Sequence, residues 1–459
     1  MERASGILLH PTSLPGPGGI GDLGEEAYRF ADWLAEAGQK IWQVLPLGPV
    51  GYGESPYAAF SAFAGSPMLL AGESGAGGRG PRVEFESVVP RKMAALRAAG
   101  RPGGPPHEEF PWLEEFARFM ALKEANGGKP WWEWDEGVKA DPEEIEFHRR
   151  VQAEFFRQWC ALKKYCNDRG IRMMGDLPIY VAKDSADVWA RPELFRFDVV
   201  AGVPPDYFSA TGQLWGNPIY RWDRMKEDGY AWWVERMRAA LTMFDLVRVD
   251  HFRGFEAYWE VPAEEPTAMN GRWIKGPGPE LFRVLEKALG RLPIVAENLG
   301  VITPEVEAIR EEFGLPGMAV LQFAFGKDPQ APTFQPHNYP RNLAAYTGTH
   351  DNDTVSGWWR SEGGDSTRTA EDVGAEKARA RAYLGTDGRE MNWVMIREAM
   401  KSVADTVICP MQDVLGLGSE ARMNTPSTAS GNWRWRMTER ASREDAKRLR
   451  AMAELYGRV

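Results

Sequence analysis

The chain has 459 residues, 43% of them hydrophobic and 26% charged, the balance of a globular protein with a large core. No apolar run approaches the ~18–20 residues that span a bilayer, and His10 and Pro11 break the short apolar patch near the start, so no signal peptide is expected. A net charge of −10, with no Lys/Arg stripe interleaved with aromatics, disfavours nucleic acid, anionic membranes and polyphosphates and suits a neutral partner.

The chain opens as strand, helix, strand. GILLHPTSL (6–14) reads as a buried strand, and Asp22 with Glu25 three residues later reads as a capping box. Tyr28, Phe30, Trp33, Leu34 and Ala37 line the apolar side of the following helix, which Gly38 ends. KIWQVLPL (40–47) is the next strand, so a parallel sheet is expected. Gly16, Gly18 and Gly21 spell G-x-G-x-x-G between the first strand and the helix. Pro15 and Pro17 remove donors that a pyrophosphate would need, and PLGPVGYG offers no acid for a ribose. That motif is therefore read as a turn, and no cofactor is expected.

Breaker-rich tracts at 72–82 and 97–106 mark residues 66–145 as an inserted, mostly helical subdomain. A long helix over about 143–167 restores the pattern. Strands follow at 171–181, 245–252, 293–299, 318–325, 343–351 and 404–411, mostly with helices between, one of them capped by Thr303 with Pro304 at its first position. About eight strands in β-then-α order fit a (β/α)₈ TIM barrel, an α/β fold, better than an open sheet. Three cysteines, Cys160, Cys166 and Cys409, are an odd number without zinc spacing and point to a reducing, cytoplasmic setting. Most of the nineteen tryptophans are expected in packing, including Trp131, Trp132 and Trp134 of WWEW, although the indole face also suits a sugar ring.

Ionisable residues gather at the C-terminal ends of the predicted strands, where a barrel builds its active site. They are Asp176; Arg248, Asp250 and His251; Glu297; and His350 with Asp351. Arg248 and Asp250, two apart, share one face of a strand, while Val247 and Val249 take the other. An R-x-D pair taken alone is more often a structural ion pair. Beside it, however, Glu297 follows an apolar strand, where burial and a second carboxylate favour its protonated form. One bare and one protonated carboxyl are what glycosidic bond cleavage requires. Asp351, a third acid, suits the orientation of sugar hydroxyls. The His and Asp residues nearby lack any regular ligand spacing, so no metal is expected.

The strings GILLHPTSLPGPGGIGDLG, WQVLPLGPVGYGESPYAAFSAFAGSP, GDLPIYVA, PPDYFSATGQLWGNPIYRWD, VRVDHFRGFEAYW, AENLGVITPEV, THDNDT and MNTPSTASGNWRWR run along almost the whole chain. In that order they resemble the 4-α-glucanotransferases of the α-amylase clan, the amylomaltases or disproportionating enzymes. The resemblance implies a barrel with inserted subdomains and without the C-terminal β-domain of amylases. It implies retaining, double-displacement transfer of α-1,4-glucan segments between maltodextrins derived from starch or glycogen, by a monomer or weak homodimer. By motif match Asp250 takes the nucleophile position, Glu297 the acid/base and Asp351 the transition-state stabiliser. Arg248 and His350 match companions in the donor site, and Tyr57 resembles the residue stacking beneath the donor sugar; Asp176, at its strand end, is also expected to bind substrate. The loop Asp206 to Gly216, with Phe208 and Trp215, resembles the one covering the acceptor side, within an inserted substrate-covering region at 201–230. Asn432 and Trp433 fall in a later loop near the site. A hydrolase on the same site and a non-catalytic glucan-binding protein are the rival readings. Three positions depart from the family pattern: Asn298 stands where Asp is usual, which is expected to lower the pKa of Glu297, Val355 where Thr is frequent, and Ser427 where Gly is common.

Overall fold

A computed structural model describes residues 2–72, 78–100, 110–205, 209–363 and 369–459. Twelve strands are present among them: β1 (Ala4–Leu8), β2 (Ile41–Gln43), β3 (Arg172–Leu177), β4 (Phe195–Val203), β5 (Gln213–Tyr220), β6 (Leu246–Val249), β7 (Ala257–Pro262), β8 (Arg272–Lys275), β9 (Ile294–Ala296), β10 (Gly317–Val320), β11 (Leu343–Tyr346) and β12 (Thr406–Pro410). Eight of these form one parallel sheet in the order β10-β11-β12-β1-β2-β3-β6-β9. Its ends meet at β9 and β10, where the Ala296 N–H donates to the Pro316 carbonyl at 2.8 Å and the Met318 N–H to Asn298 Oδ1 at 2.8 Å. The sheet is thus a (β/α)₈ barrel. Helices such as Glu25–Glu36, Pro142–Asn167 and Ala231–Met243 cover its outside. Strands buried on both faces read as apolar runs, which is why the sequence displays them. Each strand is shorter than its apolar run, because the chain leaves the hydrogen-bond ladder while still buried: after β10, residues Leu321–Phe325 form a 3₁₀ turn.

The second sheet was not expected. It is antiparallel, in the order β5-β4-β7-β8; β5 and the end of β4 fall within the stretch read as a covering loop, and β7 and β8 lie beyond it. Register shifts between Arg196 and Val200 and between Val200 and Gly202 interrupt the period-2 alternation of β4 that would have revealed it.

Two local expectations need correction, the capping box at Asp22 and the packing of Trp132. The helix begins at Glu25 with Gly24 as its cap; Asp22 accepts the Gly24 N–H at 2.9 Å, a short turn in place of the capping box. The glycine-rich segment is held from within the protein, the carbonyls of Gly16 and Gly18 accepting from Arg436 and Arg91. Trp131 and Trp134 pack against the core, but Trp132 is 45% exposed. In the 66–145 stretch the described residues include helices Phe85–Ala98 and Leu113–Ala125; positions 73–77 and 101–109 of the breaker-rich tracts lie outside the described residues. Among the described residues no helix is long and apolar enough to cross a membrane.

The N-terminal end of the barrel is tied by a buried guanidinium. Arg458 donates to the carbonyls of Met400 (2.7 Å), Ala4 (3.2 Å), Asp405 (3.3 Å) and Ser402 (3.0 Å), so the C-terminal residues clamp β1 to the approach of β12. Burial pulls its pKa down to about 10, which still leaves it charged at neutral pH. Arg458→Ala is expected to cost about 3 kcal/mol of stability, since charge-assisted bonds to buried carbonyls are lost together. Urea denaturation monitored by tryptophan fluorescence measures this; an unchanged midpoint would assign the clamp no energetic role.

Candidate active site

Strand register brings the charged residues to one place. Asp176 on β3 lies opposite Arg248 on β6, and Arg248 opposite Val295 on β9. These three share one side of the sheet, and two residues further on Asp250 and Glu297 continue that side past the strand ends. Val247 and Val249 take the other side and are fully buried. Neighbouring strands lie about 4.8 Å apart, so matched register alone sets Asp250 and Glu297 side by side at the barrel mouth.

One guanidinium links two of the acids. Arg248 Nη1 donates to both carboxylate oxygens of Asp176 (2.8 and 2.7 Å), and Nη2 lies 2.8 Å from Asp250 Oδ1. Burial opposes the Arg248 charge, but Asp176 and Asp250 override it and raise its pKa well above the usual range. Asp176 has no exposed side-chain surface. Burial pushes its pKa up while Arg248 and the Tyr57 hydroxyl pull against it. That hydroxyl donates to Asp176 Oδ2 at 2.8 Å, so Asp176 holds both Arg248 and Tyr57 in place.

Glu297 is held by backbone donors. His251 N–H reaches Oε2 at 2.7 Å and Leu299 N–H reaches Oε1 at 3.0 Å. Both bonds favour the charged carboxylate, yet burial and the neighbouring Asp250 outweigh them and raise its pKa to about 7. The side chain of Asn298 turns away: its Oδ1 accepts from Met318 and its Nδ2 donates to Glu307 at 2.7 Å. The shift at Glu297 therefore stands despite the missing charge at 298. His251 adopts a left-handed backbone (φ 49°), which aims its N–H at Glu297, and its half-buried ring meets Trp215 edge-on at 4.8 Å. Burial lowers the His251 pKa to about 4, leaving the ring neutral.

The opposite wall comes from the loops after β2, β11 and β12. Tyr57 stacks on His350 (centroids 5.1 Å, 22°), and Trp433 lies 5.7 Å from Tyr57. Burial, then the charges of Asp176, Asp250 and Asp351, raise the pKa of the Tyr57 hydroxyl well above its usual value, with Arg248 opposing. Asp351 is half exposed; its Oδ1 accepts from Asn424 Nδ2 at 2.6 Å and sits 3.4 Å from His350 Nε2. Arg422 donates to its carbonyl.

Asp176, Arg248, Asp250, Glu297, Tyr57, His350 and Asp351 therefore converge, and Trp215 joins through His251. Asn432 is one step removed, since its side chain bonds Thr425 and Thr428 within its own loop. Phe208, with Asp206, lies outside the described residues. Sequence reasoning missed Asn424 and the backbone of His251. Asn424 stands in MNTPS, but a lone amide carries no periodic or charge signal.

A family model described as 4-alpha-glucanotransferase matches residues 9–442. The 4-alpha-glucanotransferase of Thermus thermophilus is 50% identical, with both chains covered in full, and that of Synechocystis is 47% identical over all of this chain and 98% of its own. Among solved structures, the amylomaltase of Streptococcus agalactiae in complex with acarbose superposes with a TM-score of 0.89 at 37% identity, both chains covered completely. The amylomaltase of Corynebacterium glutamicum, 19% identical, shares the fold (TM-score 0.80) over 99% of this chain and 75% of its own.

Two stability measurements follow from this geometry. An acid whose pKa is raised from 4.5 to about 7 on folding costs stability as pH rises through that window and costs nothing below it. Glu297→Gln should thus stabilise the fold at pH 8, by on the order of 1–3 kcal/mol, with the gain vanishing near pH 4; pH-dependent thermal melts check the sign, and destabilisation at pH 8 would refute the burial argument. Ser427 is exposed with a left-handed backbone (φ 65°), so Ser427→Gly should add about 1 kcal/mol by relieving the Cβ clash, read from denaturant midpoints.

Proposed function

The chain belongs to the 4-alpha-glucanotransferase family, and from that premise we propose that Asp250, Glu297 and Asp351 carry out transfer of α-1,4-glucan segments by two successive displacements. Asp250 attacks the anomeric carbon of the donor; the glycosidic bond breaks, and Glu297 gives its proton to the departing 4-oxygen. A 4-hydroxyl of an acceptor glucan then returns a proton to Glu297 as its oxygen bonds the anomeric carbon and Asp250 leaves. Configuration is retained because the carbon is inverted twice.

The observation that carries this reading is the contrast between two adjacent carboxyls. Asp250 is held by the Arg248 ion pair, while Glu297, half-buried beside Asp250, has its pKa raised to about 7. A nucleophile must be held in line and a general acid must hold its proton near working pH; the Arg248 ion pair orients Asp250, and desolvation favours the protonated form of Glu297. Asp351, half exposed and oriented by Asn424, is suited to accept hydroxyls of the donor sugar as its ring distorts. Trp215 and Tyr57 supply apolar faces for sugar rings on the two walls, and the segment 201–230, in its described part, stands over the acceptor side in this reading. Three free cysteines, two of them buried, fit a cytoplasmic setting.

Incubation with maltotriose tests the reaction class. Glucose plus maltodextrins longer than the substrate are expected; glucose and maltose alone would mean water takes the intermediate and the enzyme is a hydrolase. Asp250→Asn should lower turnover on the order of 10³-fold or more, and full activity in that variant would remove the nucleophile. The alkaline limb of kcat/KM should show an apparent pKa near 7, where Glu297 loses its proton. A rate flat from pH 6 to 9 would exclude Glu297 as the acid.

A further inference from the structure

Trp132 and Phe197 are large apolar side chains left 45% and 37% exposed, and they come from distant parts of the chain. The 3₁₀ turn Trp131–Glu133 and strand β4 bring them together around Trp131, whose ring lies 5.7 Å from Trp132 (81°) and 6.3 Å from Phe197 (66°). Lys183 completes the group: its ammonium lies 4.4 Å from the Trp132 ring centroid and 5.8 Å from that of Phe197. This arrangement is anchored. Trp131 Nε1 donates to the Lys183 carbonyl at 2.7 Å, and its N–H reaches Asp184, which Lys123 holds from the other side at 2.5 Å.

The anchoring segment is also the one that leaves the catalytic face. Residues 178–185 follow β3, which ends beside Asp176; Tyr180 lies 6.3 Å from Trp215, and Asn217, two residues beyond Trp215 on β5, donates to the Val181 carbonyl at 2.9 Å. From Tyr180 to Lys183 the chain spans at most about 11 Å. One short segment therefore links the aromatic pair to the Trp215 wall, touching Trp215 through Tyr180 and the pair through Lys183.

Area decides what can sit there. Side chains of this kind bury 150–250 Å² when fully covered, so the exposed parts of Trp132 and Phe197 offer about 200 Å² together. A stable protein partner or second copy needs about 800 Å² from each side. Flat ring surface flanked by one ammonium donor fits the apolar face and hydroxyls of a sugar, and a neutral polysaccharide meets no penalty from the acidic surface.

We propose that Trp132, Phe197 and Lys183 form a remote glucan-binding platform that holds the part of a long α-1,4-glucan extending past Trp215. The proposal rests on the glucanotransferase reading for its substrate, and its test separates the two. The Trp132→Ala/Phe197→Ala variant and the parent are compared on maltotriose and on long-chain amylose, and both are run, in an Asp250→Asn background, through native gels containing amylose. The expected result is unchanged maltotriose kinetics, a KM for amylose raised at least about fivefold, and retardation in the gel that the double substitution reduces. Equal retardation and an equal amylose-to-maltotriose KM ratio would overturn the platform. A change in mass by light scattering caused by the substitution would overturn it in favour of a contact between copies. If the parent transfers nothing from maltotriose, the reaction assignment fails, while the gel, which needs no turnover, still decides the platform.

Discussion

Everything at the barrel mouth hangs on a single guanidinium shared by two carboxylates. Arg248 faces Asp176 across the β3–β6 ladder and reaches Asp250 beyond the strand end. Two acids against one base leave a negative charge unbalanced, and that charge lies where Glu297 must ionise. An ion pair of this kind is poor evidence for stability, because desolvation absorbs most of the attraction. Its value is orientation and field. The arrangement depends on register: slipping β6 by one residue would turn Arg248 and Asp250 toward the outer helices and bring Val247 and Val249 inward. The full burial of those two valines is what resists the slip.

Glu297 stands at the place where the sheet closes. Neighbouring barrel strands elsewhere are joined by ladders of paired residues, but β9 and β10 are joined by the Ala296–Pro316 bond and by the side chain of Asn298 standing in for backbone. Gly317 lets the amide approach, since a Cβ there would come within 2.8 Å of Asn298 Oδ1. An amide at 298 can both accept from Met318 and donate to Glu307, whereas a carboxylate could only accept and would face Glu307 as a like charge. The departure from the family pattern is therefore accommodated in the seam, next to the acid/base candidate but pointed away from it.

The barrel was legible because buried parallel strands are apolar on both faces, and because the acids interrupt those runs at their C-terminal ends. Arg248 and Asp250 could be placed on one face from spacing alone, and Glu297 could be assigned a raised pKa from its apolar neighbours. The antiparallel sheet was not legible, since bulges in β4 erase its alternation. Asn424 and the His251 N–H were hidden for another reason: one is a lone polar residue on a loop, and the other acts through its backbone, which every residue possesses. WWEW shows the limit of composition. Trp131 and Trp132 are identical in type and adjacent, and it is Trp131 that the Lys183 carbonyl and the Asp184 carboxylate anchor.

The two ends of the barrel use backbone energy in opposite ways. At the bottom, Arg458 and Arg3 satisfy carbonyls of the chain termini and of the turn before β12, which lowers the energy of the closed sheet. At the mouth, His251, Ser427 and Trp433 occupy left-handed conformations, each costing on the order of 1–2 kcal/mol. At His251 the return is visible: the turn carries the N–H onto Glu297 and the ring onto Trp215, so the hydrogen bond to the acid and the aromatic wall are set by one strained residue. Glycine there would remove the strain but also the ring, and a right-handed residue would aim the N–H elsewhere. Strain of this kind persists only because the rest of the barrel is rigid enough to impose it.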